Sequence, residues 1–151
     1  MKNRKVLNHQ VTAGGQPSGD DLVYLKQHQF RSVVNLRTEG EADQTLSPDE
    51  ERRLVEGLGM AYLHVPVSAQ TISPELLGQF VAEFDDLPKP AYVHCESGPR
   101  AGLFAMLWLG VNQGLTGEQA IARGREYGFS LDNPQLVEPV RRFLDSQERV
   151  Q

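Results

Sequence analysis

The chain has 151 residues, 39% hydrophobic and 23% charged, which is the size and composition of one globular domain with a core of its own. A net charge of −5 argues against nonspecific affinity for nucleic acid or for an anionic membrane, because phosphates must be met by surplus Lys and Arg. A single cysteine rules out an intrachain disulfide and a four-cysteine zinc site. No His/Cys/Asp grouping has metal-ligand spacing, so no metal and no cofactor are expected.

In chain order, the first expected element is a strand near Val6–Val11, followed by a turn built on Gly14, Gly15 and Pro17. A helix is expected from Asp20 to about His28, with Ser18 as its N-cap. Arg31–Leu36 reads as a strand through its β-branched Val33 and Val34. After a polar loop, Ser47-Pro48 gives a helix start that runs to about Leu58. Ala61–Val65 is a third strand, and Ser73-Pro74 repeats the helix-start signal. Leu76, Leu77, Phe80, Val81 and Phe84 then recur at helical spacing. Ala91–His94 is a fourth strand. From Arg100 to about Asn112 the chain is apolar nearly all round, the mark of a buried helix, and Trp108 belongs to that core. Two more helices are expected at Thr116–Glu126 and Pro134–Ser146, the last interrupted at Pro139. No composition break divides the chain, so residues 1–151 are read as one domain. The alternation gives an α/β sandwich with a mostly parallel sheet of four to five strands flanked by helices. In such sheets the site lies beyond the carboxyl ends of the strands.

The fourth strand runs straight into His94-Cys95-Glu96-Ser97-Gly98-Pro99-Arg100, where the buried helix begins. A helix N-terminus offers unpaired N–H groups and partial positive charge. Gly98 lets the loop turn those N–H groups inward. Arg100 adds a planar fork for two oxygens of one oxyanion. Cys95 sits at the mouth, where a helix N-terminus and a cation favour the thiolate. The residues therefore describe a thiolate nucleophile facing an oxyanion cradle.

The segment is similar to the phosphate-binding loop of the protein tyrosine and dual-specificity phosphatases, but it has four residues between Cys95 and Arg100 where those enzymes have five. Loops with four are also found in rhodanese-type sulfurtransferases. The set GQP, NLR, HVPV and Cys-x4-Arg, in that order, resembles the bacterial beta-lactamase-hydrolase-like phosphatase family. The resemblance implies a cysteine-phosphatase-like fold. It also implies Cys95 as nucleophile, Arg100 as the clamp on bound oxyanion, Glu96, Ser97, Gly98 and Pro99 as cradle, and His94 as support for the loop and the thiolate. Two positions depart from the phosphatase pattern. Ala101 stands where a Ser or Thr hydroxyl follows the arginine, and the loop 66–72 carries no acid. Replacement donors are Glu39, Glu41 and Asp43, with Glu41 preferred, and Asp132 more remotely. Arg37 is either a second anion contact or an ion-pair partner for those acids.

The expected function is phosphomonoester hydrolysis through a phosphocysteine, on a phosphoprotein or a small phosphomonoester. A sulfurtransferase carrying a Cys95 persulfide and a noncatalytic oxyanion-binding module are the alternatives. MKNRKVLNHQ has no apolar run behind it, so a cytoplasmic protein is expected, with no nucleic-acid or membrane partner. The sequence leaves the oligomeric state open.

Overall fold

The computed structural model describes residues 1–147. Among the described residues five strands form one sheet: β1 (Lys5–Val6), β2 (Val11–Gly14), β3 (Ser32–Asn35), β4 (Ala61–His64) and β5 (Ala91–His94). Their order is β1-β2-β5-β3-β4, and only the β1–β2 pair is antiparallel. Six helices stand among the described residues: α1 (Gly19–Gln27), α2 (Pro48–Gly57), α3 (Pro74–Asp86), α4 (Pro99–Gln113), α5 (Gly117–Glu126) and α6 (Pro134–Ser146).

The alternation of side chains along each strand divides the core in two. Val34 and Val93 face a large cluster built with Phe80 and Phe84 of α3, the whole middle of α4, and residues of α5 and α6. Val33, Tyr62 and Tyr92 face a smaller cluster with Leu22 and Leu25 of α1 and Val55 of α2. α4 is buried without a break from Ala101 to Gly110, as its all-round apolar sequence requires. Trp108 lies in that core with its indole N–H donating to Asp85 at 3.2 Å.

Helix starts follow their capping residues. Ser18, Ser47 and Thr116 each close a reciprocal capping box, in which the side chain accepts an N–H three residues on and that residue bonds back. Such a box satisfies two of the amides left free by the first turn.

Three expectations are corrected. The strand expected at Val6–Val11 is two short antiparallel strands, because Asn8 folds the chain between them: its Oδ1 accepts the N–H groups of Gln10 and Val11 at 2.8 and 3.0 Å. Gly14 and Gly15 end β2 and its extension rather than forming a turn. A Cβ on Gly14 would lie 2.6 Å from the Tyr92 hydroxyl, and one on Gly15 would lie 2.8 Å from the Glu96 carbonyl oxygen, so both glycines serve close approach. Pro139 does not interrupt α6. The carbonyl that its missing N–H would have served belongs to exposed Gln135, which water can reach.

Candidate active site

Parallel pairing aligns Gly14, His94, Asn35 and His64 in one row across the sheet. The chain leaves β2, β5 and β3 just beyond that row, and this edge collects the site.

Cys95 is the first residue past β5 and is 1% exposed. Its N–H donates to the Gly14 carbonyl at 3.2 Å. The following loop turns its carbonyls outward. That of Glu96 accepts the Gln16 N–H at 3.0 Å, and that of Ser97 accepts Asn3 Nδ2 at 2.6 Å. Glu96 itself points to solvent. Gly98 is the N-cap of α4, at φ 121°, a backbone that side-chain-bearing residues rarely adopt. That geometry aims the Gly98 N–H at the Cys95 sulfur, 3.1 Å away. Pro99 opens the helix without an N–H to satisfy. The sulfur thus faces the amino end of a buried helix, where partial positive charge gathers.

Arg100 lies over this mouth and is held in place. Its Nη1 donates to Glu41 Oε2 at 2.7 Å and to the Val67 carbonyl at 3.1 Å, and its Nη2 donates to Glu41 Oε1 at 2.9 Å. The guanidinium also lies within electrostatic reach of the Cys95 sulfur. Burial weakens its hold on its proton, but Glu41 and Cys95 more than reverse this and raise its pKa.

Glu41, expected as a proton donor, is engaged by cations and donors on both oxygens. Besides Arg100, it accepts Arg37 Nε at 3.0 Å, the Thr38 N–H at 2.6 Å and the Thr38 hydroxyl at 3.0 Å. Burial raises its pKa, yet the bonds from Arg100, Thr38 and Arg37 outweigh burial and bring it down to about 2. A carboxyl so placed is held ionised near neutral pH.

Arg37 is fully buried and spends its guanidinium inside the protein. It bonds Glu41, Gln16 Oε1 at 3.1 Å and the Ala42 carbonyl at 3.0 Å. Its guanidinium thus stands in the ion-pair arrangement, one of the two expected of it. His64 binds the Arg37 carbonyl through Nε2 at 2.6 Å.

His94 is fully buried beneath the cradle. Its Nδ1 lies 3.2 Å from the Cys95 carbonyl and its Nε2 lies 2.6 Å from Glu51 Oε2. Gln16 Nε2 donates to the other Glu51 oxygen at 2.7 Å. A continuous polar circuit therefore runs from His94 through Glu51, Gln16, Arg37 and Glu41 to Arg100, joining the two ends of the cradle loop around its outside. Sequence reading missed Glu51 and Gln16. One signal was available: Pro48, Glu51 and Val55 share the buried stripe of α2, and a carboxylate on such a stripe needs a partner.

The loop 66–72 is acid-free, as read, and closes on itself through Thr71 Oγ1, which accepts the Ser68 N–H at 2.9 Å. Its link to the site is the Val67 carbonyl on Arg100. Asp132 lines a narrow groove with Pro99, Arg100 and Leu103. Asp43 and Glu96 line another with Gln16 and Arg37. Glu39 is exposed.

A mostly parallel sheet that delivers a cysteine to the amino end of a central buried helix, with an arginine closing the loop, defines the cysteine-phosphatase fold class. Residues 2–137 match the family described as DSP-PTPase phosphatase fused to NAD+ kinase, and the chain belongs to that phosphatase family. It is 28% identical over 125 residues to the beta-lactamase hydrolase-like protein of Xylella fastidiosa, a match covering 83% of this chain and 29% of that protein. The chain thus spans less than a third of that relative's length. A solved DUF442 protein from Shewanella putrefaciens CN-32 superposes with a TM-score of 0.76 at 25% identity, over 95% of this chain and 91% of that one. The active form of Tk-PTP has the same fold, with a TM-score of 0.81 at 21% identity over 96% and 98% of the two chains. No helix among the described residues is long and apolar enough to cross a membrane.

Proposed function

We propose that this domain hydrolyses phosphomonoesters through a phosphocysteine on Cys95. The thiolate sulfur attacks phosphorus, the bond from phosphorus to the leaving oxygen breaks, and that oxygen takes up a proton. Water then attacks the phosphocysteine, releasing inorganic phosphate and restoring the thiolate. Arg100 and the N–H groups from Glu96 to Gly98 hold the nonbridging oxygens, where charge concentrates in the transition state. Glu41 orients Arg100 rather than supplying a proton. His94 supports the loop from below.

The observation that carries this reading is the 3.1 Å contact from the Gly98 N–H to the Cys95 sulfur, made by a loop that Arg100 closes. Ala101 offers no hydroxyl to the departing thiolate, and the loop 66–72 offers no acid. Chemistry at this site leans on the leaving group, so an aryl phosphate, whose leaving oxygen needs little proton help, is the proper probe. The wild type is expected to turn over an aryl phosphate and to yield a phosphoenzyme on rapid acid quench. Cys95→Ser is expected to fall to background in both measurements. Equal rates in the two proteins would refute the proposal.

A further inference from the structure

The polar circuit contains a carboxylate that the reaction just described does not use. Glu51 and His94 are both fully buried, and their contact of 2.6 Å is among the shortest in the site. The protons on the imidazole follow from its neighbours. A carbonyl oxygen only accepts, so the contact of Nδ1 with the Cys95 carbonyl needs a proton on Nδ1. The Oε1 of Glu51 already accepts from Gln16 Nε2. With Glu51 ionised, its Oε2 accepts from His94 as well, and Nε2 then also bears a proton.

We propose that Glu51 is a positioning residue for this reaction: it keeps His94 as an imidazolium at the neck of the cradle, and that fixed charge stabilises the Cys95 thiolate. The proposal rests on the reading of Cys95 as nucleophile. A lone buried imidazolium would be costly, and the adjoining carboxylate offsets that cost. The pair is neutral overall but oriented, with its positive member bonded to the cysteine backbone and its negative member behind.

The surrounding groups leave Glu51 as the anion that faces His94. Tyr62 of β4 and Tyr92 of β5 are held neutral, chiefly because burial raises both hydroxyls well above their ordinary range. Arg52 of α2 lies over the Tyr62 ring at 5.0 Å. Arg37, beyond β3, reaches Glu51 only through Gln16. Arg100 and Glu41 are paired with each other on the far side of the cradle. Asp21 of α1 and Arg4 act on Tyr92.

Glu51→Gln separates charge from shape. Its amide nitrogen can donate to Nε2 of a neutral imidazole protonated on Nδ1, while its oxygen accepts from Gln16. Two measurements test the idea without requiring turnover. In nitrogen-15 spectra of the wild type near neutral pH, both ring nitrogens of His94 are expected to carry protons, and a ring with one unprotonated nitrogen would overturn the proposal. In alkylation of Cys95 by iodoacetate across pH, the midpoint is expected to rise by about 1 unit in Glu51→Gln. An unchanged midpoint in a variant that melts like the wild type would also overturn it. If aryl phosphate turnover proved absent from the wild type, the phosphatase reading would fall, while these two measurements would still decide the role of Glu51.

Discussion

Two arginines meet on one carboxylate at Glu41, and the consequence is mechanical as much as electrostatic. Arg100 has a long flexible side chain, and bidentate bonds at 2.7 and 2.9 Å remove most of its freedom before any substrate arrives. Glu41→Gln removes the charge and one acceptor, and it leaves Arg37 buried beside an uncompensated neighbour. Inhibition by inorganic phosphate is expected to weaken about tenfold, equivalent to ~1.4 kcal/mol. Tighter phosphate binding in the variant would mean that Glu41 competes with substrate instead of preparing the site. The pH dependence has a definite sign. Because the folded-state pKa is depressed to about 2, the ion pairs are intact above the ordinary carboxylate range and are lost as pH falls through that interval. At this scale the sequence was legible where chemistry is consecutive. His94, Cys95, Gly98 and Arg100 lie within one short segment, which the structure gathers at the start of α4. Glu51 is 43 residues from His94 and Gln16 is 35 residues from Glu51, so nothing local announces either contact.

At the scale of elements, α4 shows why a hydrophobic stretch becomes a precise support. Its all-round apolar sequence requires burial, and α3, α5 and α6 supply the cover. The tightest fit is near its start, one turn from the cradle. A Cβ on Gly102 would stand 2.3 to 2.6 Å from ring atoms of Phe129, an aromatic side chain with no flexible end to move aside. Gly102→Ala is therefore expected to cost about 1–3 kcal/mol, the usual penalty of overpacking a filled core, read as a lowered melting temperature and denaturant midpoint. A variant as stable as the wild type would show that α4 can shift without loss. Helix positions were legible because caps are local: Ser18, Ser47 and Thr116 each act on an amide three residues away. Two errors have the opposite cause. The N-terminal strand was misjudged because Asn8 folds the chain through a side-chain bond that apolar spacing does not record. Pro139 was overrated as a breaker because the orphaned carbonyl is exposed, where its loss costs least.

For the whole molecule, strand order puts the chemistry in one place. The central strand β5 lies between β2 and β3, so the carboxyl ends of all three converge, and the loops leaving them supply Gly15 and Gln16, Cys95, and Arg37 through Glu41. The alternation of elements made this edge legible in advance, whereas the pairing order that joins the three loops did not follow from any segment alone. The same edge carries a distinct charge pattern. The groove reaching Glu96 is lined by Asp43 and Glu96 with Lys2, while Asp21 is paired with the Met1 ammonium at 3.4 Å and the arginine in the groove wall, Arg37, is buried and already paired. The chain as a whole bears a net charge of −5. On the proposed phosphatase reading, a substrate that approaches the cradle over this groove meets Asp43 and Glu96, so positive charge on its flanks should assist approach and negative charge should hinder it. Phosphotyrosyl peptides with lysine on both sides of the phosphate are expected to show kcat/KM about 3–10-fold above matched peptides flanked by glutamate, at low ionic strength. The advantage should shrink at about 0.5 M salt, where screening reaches only a few ångströms. A preference for glutamate flanks, or a lysine advantage that salt leaves intact, would show that these carboxylates do not govern approach and that contacts within the groove do.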